Sequence, residues 1–300
     1  MLEIIKNYRD NESLRQSFNQ LALDIFGLDF EDWYQNGYWT DRYIPYSILI
    51  DGEVCANVSV NRTDFIYEGM QKHWLQLGTV MTAEDCRHQG LIRLLMDEIE
   101  KDYAGRVDGI YLFANDEVLD FYPKFGFQAK QQYMYVREIK KETLSIPKFT
   151  SAPLTDKKRW DDLEMRIRRG CSYAALEMVD NSQLNMFYVS KFMQEYVYYC
   201  ETLDTYVIAE QDRDTVVIHA VISDKKQDLQ QIADGIATLF VKENESGWMS
   251  PCQICLGFTP KITTGFVCRE LDQTDSMFFV KGDVDVVETK KMMIPTLAHA

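Results

Sequence analysis

Leu75-Gln76-Leu77-Gly78-Thr79-Val80-Met81-Thr82, then Cys86-Arg87-His88-Gln89-Gly90-Leu91-Ile92, then Gly109-Ile110-Tyr111-Leu112-Phe113, then Phe121-Tyr122-Pro123-Lys124-Phe125-Gly126-Phe127: these four runs decide how the chain is read. The first is a strand. The second is a short polar loop opening a helix that begins near Gly90 and runs to about Tyr103. The third is a second strand, which ends in Asn115, and the fourth, which holds Tyr122 seven residues later, is a second short helix. Leu91, Leu94, Leu95 and Ile99 recur at helical spacing and are predicted to form the buried stripe of the first helix, with Asp97, Glu98 and Glu100 mainly on its other side.

A helix start presents unpaired backbone N–H groups and the positive end of the helix dipole, where a pyrophosphate can sit. Gly90, lacking a Cβ, lets an anion approach the backbone. Arg87 adds a guanidinium able to pair with phosphate. An isolated Arg-x-x-Gly equally fits a solvated turn before a surface helix. Its place after a strand and before a helix, with the Asn115 to Phe127 segment following, favours the anion cradle.

In this setting Arg87-His88-Gln89-Gly90-Leu91 resembles the acetyl-CoA core of the GNAT N-acetyltransferases, whose motif is Arg or Gln, two residues, Gly, one residue, then Gly or Ala. Ile92 departs from the small last residue, a departure also tolerated in relatives of the "enhanced intracellular survival" type. The resemblance implies acetyl-CoA as co-substrate, held by Arg87, His88, Gln89, Gly90, Leu91 and Ile92. It implies that the backbone of Val80, Met81 and Thr82 pairs with the pantetheine arm as a strand would, which needs an unpaired edge; an ordinary central strand is the alternative. Asn115 would hydrogen-bond the same arm, or cap the helix that follows. Tyr122 would be the general acid. A phenol with pKa near ~10 is slightly too weak an acid for full transfer to a thiolate near ~8.5, but it can donate a hydrogen bond to the leaving sulfur. Catalysis of this kind contributes roughly 10² to 10⁴-fold. The other reading of Tyr122 is a core residue among Phe121, Phe125 and Phe127.

Residues 1–138 have the element order of one such domain: a strand Leu2 to Ile5, a helix Glu12 to about Phe26, an acidic aromatic segment Asp29 to Tyr38, strands Tyr46 to Asp51 and Val54 to Val60 about an Asp51-Gly52 hairpin, the four runs above, and Gln132 to Val136 closing the sheet. Residues 139–155, with Pro147 and Pro153, read as a linker. From 156 to 300 come a helical region to about Tyr199, strand-like Tyr206 to Glu210 and Thr215 to Ser223, and a helix from Asp228 to Phe240. Ile254 to Phe258, then Thr264-Gly265-Phe266, then Ser276 to Val280 echo Ile110 to Phe113, Phe125-Gly126-Phe127 and Tyr133 to Val136. The expected fold is therefore α/β, a mixed sheet of the GNAT type, with two GNAT-like lobes in tandem. The second lobe has neither an Arg-x-x-Gly loop nor a counterpart of Tyr122, and is read as degenerate. The "enhanced intracellular survival" group likewise pairs an active N-terminal lobe with a degenerate one. It adds a sterol-carrier-like domain, of which this chain has no clear counterpart.

Composition narrows the partners. With 46% hydrophobic and 13% aromatic residues, 300 residues can bury a substantial core. No apolar run approaches the ~20 residues a bilayer span needs, and no secretory signal is evident; a cytoplasmic protein with no membrane partner is expected. A net charge of −15 argues against nucleic acid and favours a cationic acceptor such as a polyamine, an aminoglycoside-like sugar or a lysine side chain. Seven scattered cysteines read as reduced thiols. Cys252-Gln253-Ile254-Cys255 lies in a strand, where positions three apart diverge, and His73, His88, His219 and His299 show no metal spacing, so no metal is expected. A homo-oligomer is compatible with the sequence.

An amine with a pKa near ~10.4 is protonated at pH 7, and something must take its proton. Glu31 and Asp32, among Trp33 and Tyr34, are candidates, the aromatic faces suiting a cation; an amphipathic helix with a solvated acidic face is the plain alternative. The resemblance adds the terminal carboxylate of Ala300, since in those relatives the chain end acts as base. Three functions remain open at this point: an acetyl-CoA-dependent acetyltransferase acting on a primary amine, a catalytically degenerate acyl-CoA sensor, and an interaction protein that keeps only the scaffold.

Overall fold

Asp51 and Gly52, at φ 53° and 89°, turn strand β2 (Tyr43–Ile50) back onto β3 (Glu53–Tyr67), as a two-residue hairpin requires. Glu68 and Gly69, at φ 48° and 78°, repeat the device into β4 (Met70–Thr82), so β3 runs well past the expected end at Val60. The computed structural model describes residues 3–139, 147–243 and 249–299. Before the hairpin come β1 (Glu3–Lys6), α1 (Glu12–Phe26), capped by the Asn11 side chain, and α2 (Glu31–Gln35). After it come α3 (Leu91–Tyr103) and β5 (Gly109–Ala114), parallel to β4. Leu91, Leu95 and Ile99 are buried as expected, but Leu94 is exposed and Met96 takes its place. At about 100° per residue, Leu94 falls on the outer flank of the stripe and Met96 on the flank turned to the sheet.

The rest of the chain adds β6 (Gln128–Ala129), β7 (Tyr133–Glu138), β8 (Thr150–Ser151), α4 (Lys157–Arg169), β9 (Glu177–Val179), α5 (Ser182–Lys191), β10 (Val197–Cys200), β11 (Thr205–Asp212), β12 (Thr215–Ser223), α6 (Leu229–Phe240), β13 (Lys242–Glu243), β14 (Met249–Ser250), β15 (Gln253–Leu256), β16 (Val267–Glu270), β17 (Met277–Gly282) and α7 (Val286–Thr289). The helix expected from Asp156 to Tyr199 is broken at Gly170 and interrupted by β9, and it ends before β10.

Two mixed sheets result. The first runs β1-β2-β3-β4-β5-β17-β6, with β9 on the stretch of β3 that β2 leaves uncovered. The second runs β8-β10-β11-β12-β15-β7-β16. Position for position the second repeats the first, with β12 and β15 as its parallel pair and α6 in the place of α3. One slot is exchanged. β17, from near the end of the chain, lies between β5 and β6, and β7 lies between β15 and β16.

This exchange corrects the expected division at residue 138. The strand at Tyr133, taken to close the first sheet, belongs to the second, and the strand at Ser276 belongs to the first. The two strands are alternative fillings of equivalent slots, so local pattern does not distinguish them. The expected linker is also built in. Its first part falls on residues 140–146, outside the described residues, while Phe149 is buried in the second core and Thr150–Ser151 forms the edge strand β8.

Candidate active site

The parallel pairing of β4 with β5 stops at Leu77 and Leu112. Beyond it β4 continues through Gly78 to Thr82, still paired with β3 on its other side. The edge of Val80, Met81 and Thr82 that faces β5 is therefore unpaired among the described residues. A bulge marks the parting: Thr79 and Val80 oppose Val58 alone, and Thr79 takes φ 47°. Asn57 Nδ2 donates to the Thr79 carbonyl at 2.8 Å, and the Tyr43 and Thr79 hydroxyls are 2.6 Å apart. Buried Asn57 and Tyr43 thus hold the bulge open; the sequence reading missed both, because each looks like an ordinary strand residue.

Arg87, His88, Gln89 and Gly90 form an exposed loop at the start of α3. His88 and Gly90 take φ 64° and 75°, and Gly90 is the N-cap with no side chain bonded to the helix start. The first N–H groups of α3 are left for an anion, and the space a Gly90 Cβ would occupy is open. Leu91 and Ile92 contribute only backbone there, since their side chains join the core. Asn115 follows the last residue of β5, with its side chain exposed and not used as a cap.

Tyr122 begins the short turn Tyr122–Phe125. Its ring is buried on the α3 face of the sheet with Leu112 and Ala114. The ring is a core residue: it packs on Phe121 and Phe127, with centroids at 5.3 and 6.2 Å, and on Phe279 of the exchanged strand β17, at 5.8 Å. Its hydroxyl has no hydrogen-bond partner among the described residues, and burial pushes its pKa up to about 12.

On the opposite face lies the C-terminal tail. Thr296 N–H donates to the Gly257 carbonyl at 2.8 Å, and Thr296 Oγ1 lies 3.0 Å from His219 Nδ1. Asn185 and Tyr111 donate to the carbonyls of Leu297 and Ala298. His299 stacks on Phe113, with centroids 3.9 Å apart. Ala300 lies outside the described residues. A cavity of about 510 Å³ opens between the sheets, walled by Leu297 and Ala298 of the tail, by His219 and by Asn185.

Residues 10–127 match the family model "Acetyltransferase (GNAT) family". The chain carries a GNAT acetyltransferase domain. No curated protein matches the sequence. Among solved structures, the fold is similar to a conserved protein of Enterococcus faecalis V583 described as a probable N-acyltransferase (TM-score 0.60, 14% identity, covering 97% of this chain and 74% of that one). It is also similar to Eis1 of Mycobacterium abscessus (0.54, 13%, 93% and 73%) and to a GCN5-related N-acetyltransferase of Kribbella flavida (0.54, 13%, 94% and 72%). The likeness extends over both sheets, so the fold is shared with them along nearly the whole chain.

In the acidic segment of the GNAT domain Glu31 and Asp29 are already paired, whereas Asp32 stands exposed, 4.0 Å from Lys191. Glu31 accepts from Arg15, Asn19 and Gln35, and the Arg15 guanidinium above all holds its carboxyl below the usual range. Asp29 pairs with Lys191, Arg15 covers the Tyr34 ring at 3.8 Å, and Trp33 is buried. The chain's own cations fill the places expected for a substrate cation and for a base at Glu31. Nor are all seven cysteines separate thiols: Cys55 of β3 and Cys86, just before the Arg87 loop, are paired as a disulfide. They are 31 positions apart, with nothing in their spacing to signal it.

Among the described residues no helix is long and apolar enough to cross a membrane, and no group of His, Cys, Asp and Glu is arranged to hold a metal.

Proposed function

We propose that the chain transfers an acetyl group from acetyl-CoA to a primary amine of a cationic small molecule or a lysine side chain. The observation that carries this is the parted β4 and β5, with an anion-ready helix start at one end and an unbonded tyrosine hydroxyl beside the gap. Arg87 and the backbone of His88 to Ile92 would hold the pyrophosphate; the edge of Val80, Met81 and Thr82, with Asn115, would hold the pantetheine arm. The co-substrate supplies the activated acyl group and a thiolate leaving group. Tyr122 stays protonated at neutral pH and donates to the developing thiolate. The acceptor approaches from the face opposite α3, where the cavity shares Ala298 with the tail. Glu31, already committed to Arg15, is left out of the proton route. Ala300 stays in it, because its neighbour His299 rests on Phe113, one residue past the last β5 position paired with β4.

Calorimetric titration with acetyl-CoA, followed by a screen of polyamines, aminoglycosides and lysine peptides for CoA release, tests the reading. Tyr122→Phe is expected to bind acetyl-CoA as the wild type does and to lose turnover by roughly 10² to 10⁴-fold. Absence of acetyl-CoA binding by the wild type would leave only the scaffold reading.

A further inference from the structure

His299 has no task in the scheme above, yet its surroundings are unusual for a histidine that merely fills space. The ring lies nearly parallel to Phe113, at 21°. Nε2 is sealed from solvent and has no hydrogen-bond partner among the described residues. The Ile294 backbone beside the ring favours its protonated form, and Nδ1 is the nitrogen left to face it. In the neutral ring this leaves Nε2 as a bare acceptor. Buried acceptors without donors are rare in folded proteins, and each needs an explanation such as a catalytic role or a missing partner.

The position points to the partner. Leu112 is the last β5 residue paired with β4. Leu112 and Ala114 face Tyr122, whereas Phe113, between them, faces His299. The gap between the strands thus has a phenol on one side and an imidazole on the other. The tail is fixed where it brings the ring there. Thr296 is bonded to Gly257 and His219, and a Cβ on Gly257 would meet Thr296 Oγ1 at 2.6 Å, so only glycine admits the tail so closely. His219 is in turn held by Glu210 at 3.0 Å.

We propose that Nε2 of His299 is the atom that accepts the proton of the attacking amine. This deepens the acetyltransferase reading and rests on it. The amine enters as free base. Its nitrogen bonds to the acyl carbon, the carbon–sulfur bond breaks, sulfur takes the hydrogen of the Tyr122 hydroxyl, and the amine N–H passes to Nε2. Once the product leaves and water enters in its place, the imidazolium gives its proton to that water and the phenolate regains one, leaving amide and thiol. Among the described residues the groups around the ring are His219 of β12 with Glu210 behind it and the Tyr111 hydroxyl of β5 bonded to the adjoining Ala298 carbonyl. Among the described residues no carboxylate bonds the ring, which therefore rests neutral and able to accept.

The test uses full-length wild type, His299→Gln, His299→Ala and a chain lacking Ala300, with spermidine, kanamycin and a lysine peptide as acceptor probes. His299→Gln should keep its acetyl-CoA affinity within twofold while kcat falls about 100-fold or more, and added imidazole should partly restore His299→Ala. Nitrogen NMR of labelled histidine reports independently of turnover: the signal lost in His299→Gln should be an Nδ1–H tautomer with a bare Nε2. Full activity of His299→Gln in an active wild type, or an Nε2–H tautomer, would overturn the assignment and leave the acetyltransferase reading standing, with the base sought in the Ala300 deletion. A wild type that neither binds acetyl-CoA nor acetylates any probe would bring both down.

Discussion

A fragment ending at residue 139 would contain every element that sequence reading assigns to the GNAT domain, and the strand exchange predicts that it will not fold by itself. It lacks β17, whose six residues Met277 to Gly282 pair along the whole of β5. Phe278, Phe279 and Val280 of that strand are 0, 3 and 3% exposed. Burial of such side chains contributes about 1.5–3 kcal/mol each, so their loss removes on the order of 5–9 kcal/mol. That is most of the ~5–15 kcal/mol by which a domain is stable, before counting Met186, Phe187 and Leu176, which also come from beyond the cut. Phe279 is in addition one wall of the Tyr122 pocket. Urea titration followed by tryptophan fluorescence should show no cooperative transition for the fragment, and a peptide spanning 272–299 should restore one. The full chain should unfold with both sheets together. A fragment that unfolds cooperatively near the full chain's midpoint and binds acetyl-CoA would refute the argument, because β7 would then have filled the slot of β17.

Three further outcomes are expected. Gly90→Val places a β-branched residue at φ 75°, a strain of about 1–2 kcal/mol; if the loop shifts to relieve it, calorimetry should show acetyl-CoA bound roughly 5 to 30-fold more weakly, with thermal stability little changed. Thiol titration of the protein unfolded without reductant should find five reactive thiols of the seven, since Cys55 and Cys86 are paired. His299 takes a proton at about pH 6.5 when unfolded but only near about 4 when folded. Unfolding therefore takes up a proton in that window, and stability present at pH 7 is lost as pH falls from 6.5 toward 4, by up to roughly 3 kcal/mol. The difference between wild-type and His299→Gln urea midpoints across this range isolates that contribution; equal slopes would show that the ring is not sealed.

Much of the site was legible because its parts are local. A strand, a polar loop with Arg87 and Gly90, and a helix start lie within about twenty residues, and glycine at positive φ is a requirement that sequence states directly. The hairpin at Asp51-Gly52 and the amphipathic α3 follow from the same short-range rules. The sequence by itself therefore determined the GNAT scaffold, the doubling of its pattern and the place of the Arg87–Gly90 loop before α3. What it left open depends on separations of a hundred residues or more. Whether β7 or β17 closes the first sheet is a contest between two apolar strands of like pattern, settled by which slot each reaches once both sheets exist. The neutralisation of Asp29 by Lys191, and the placing of His299 on Phe113, join residues over 160 positions apart. Only the tertiary structure decided these, because hydrogen-bond direction, burial and ring contact belong to neighbours in space, and a charge or an imidazole carries no local sign of the partner it will meet.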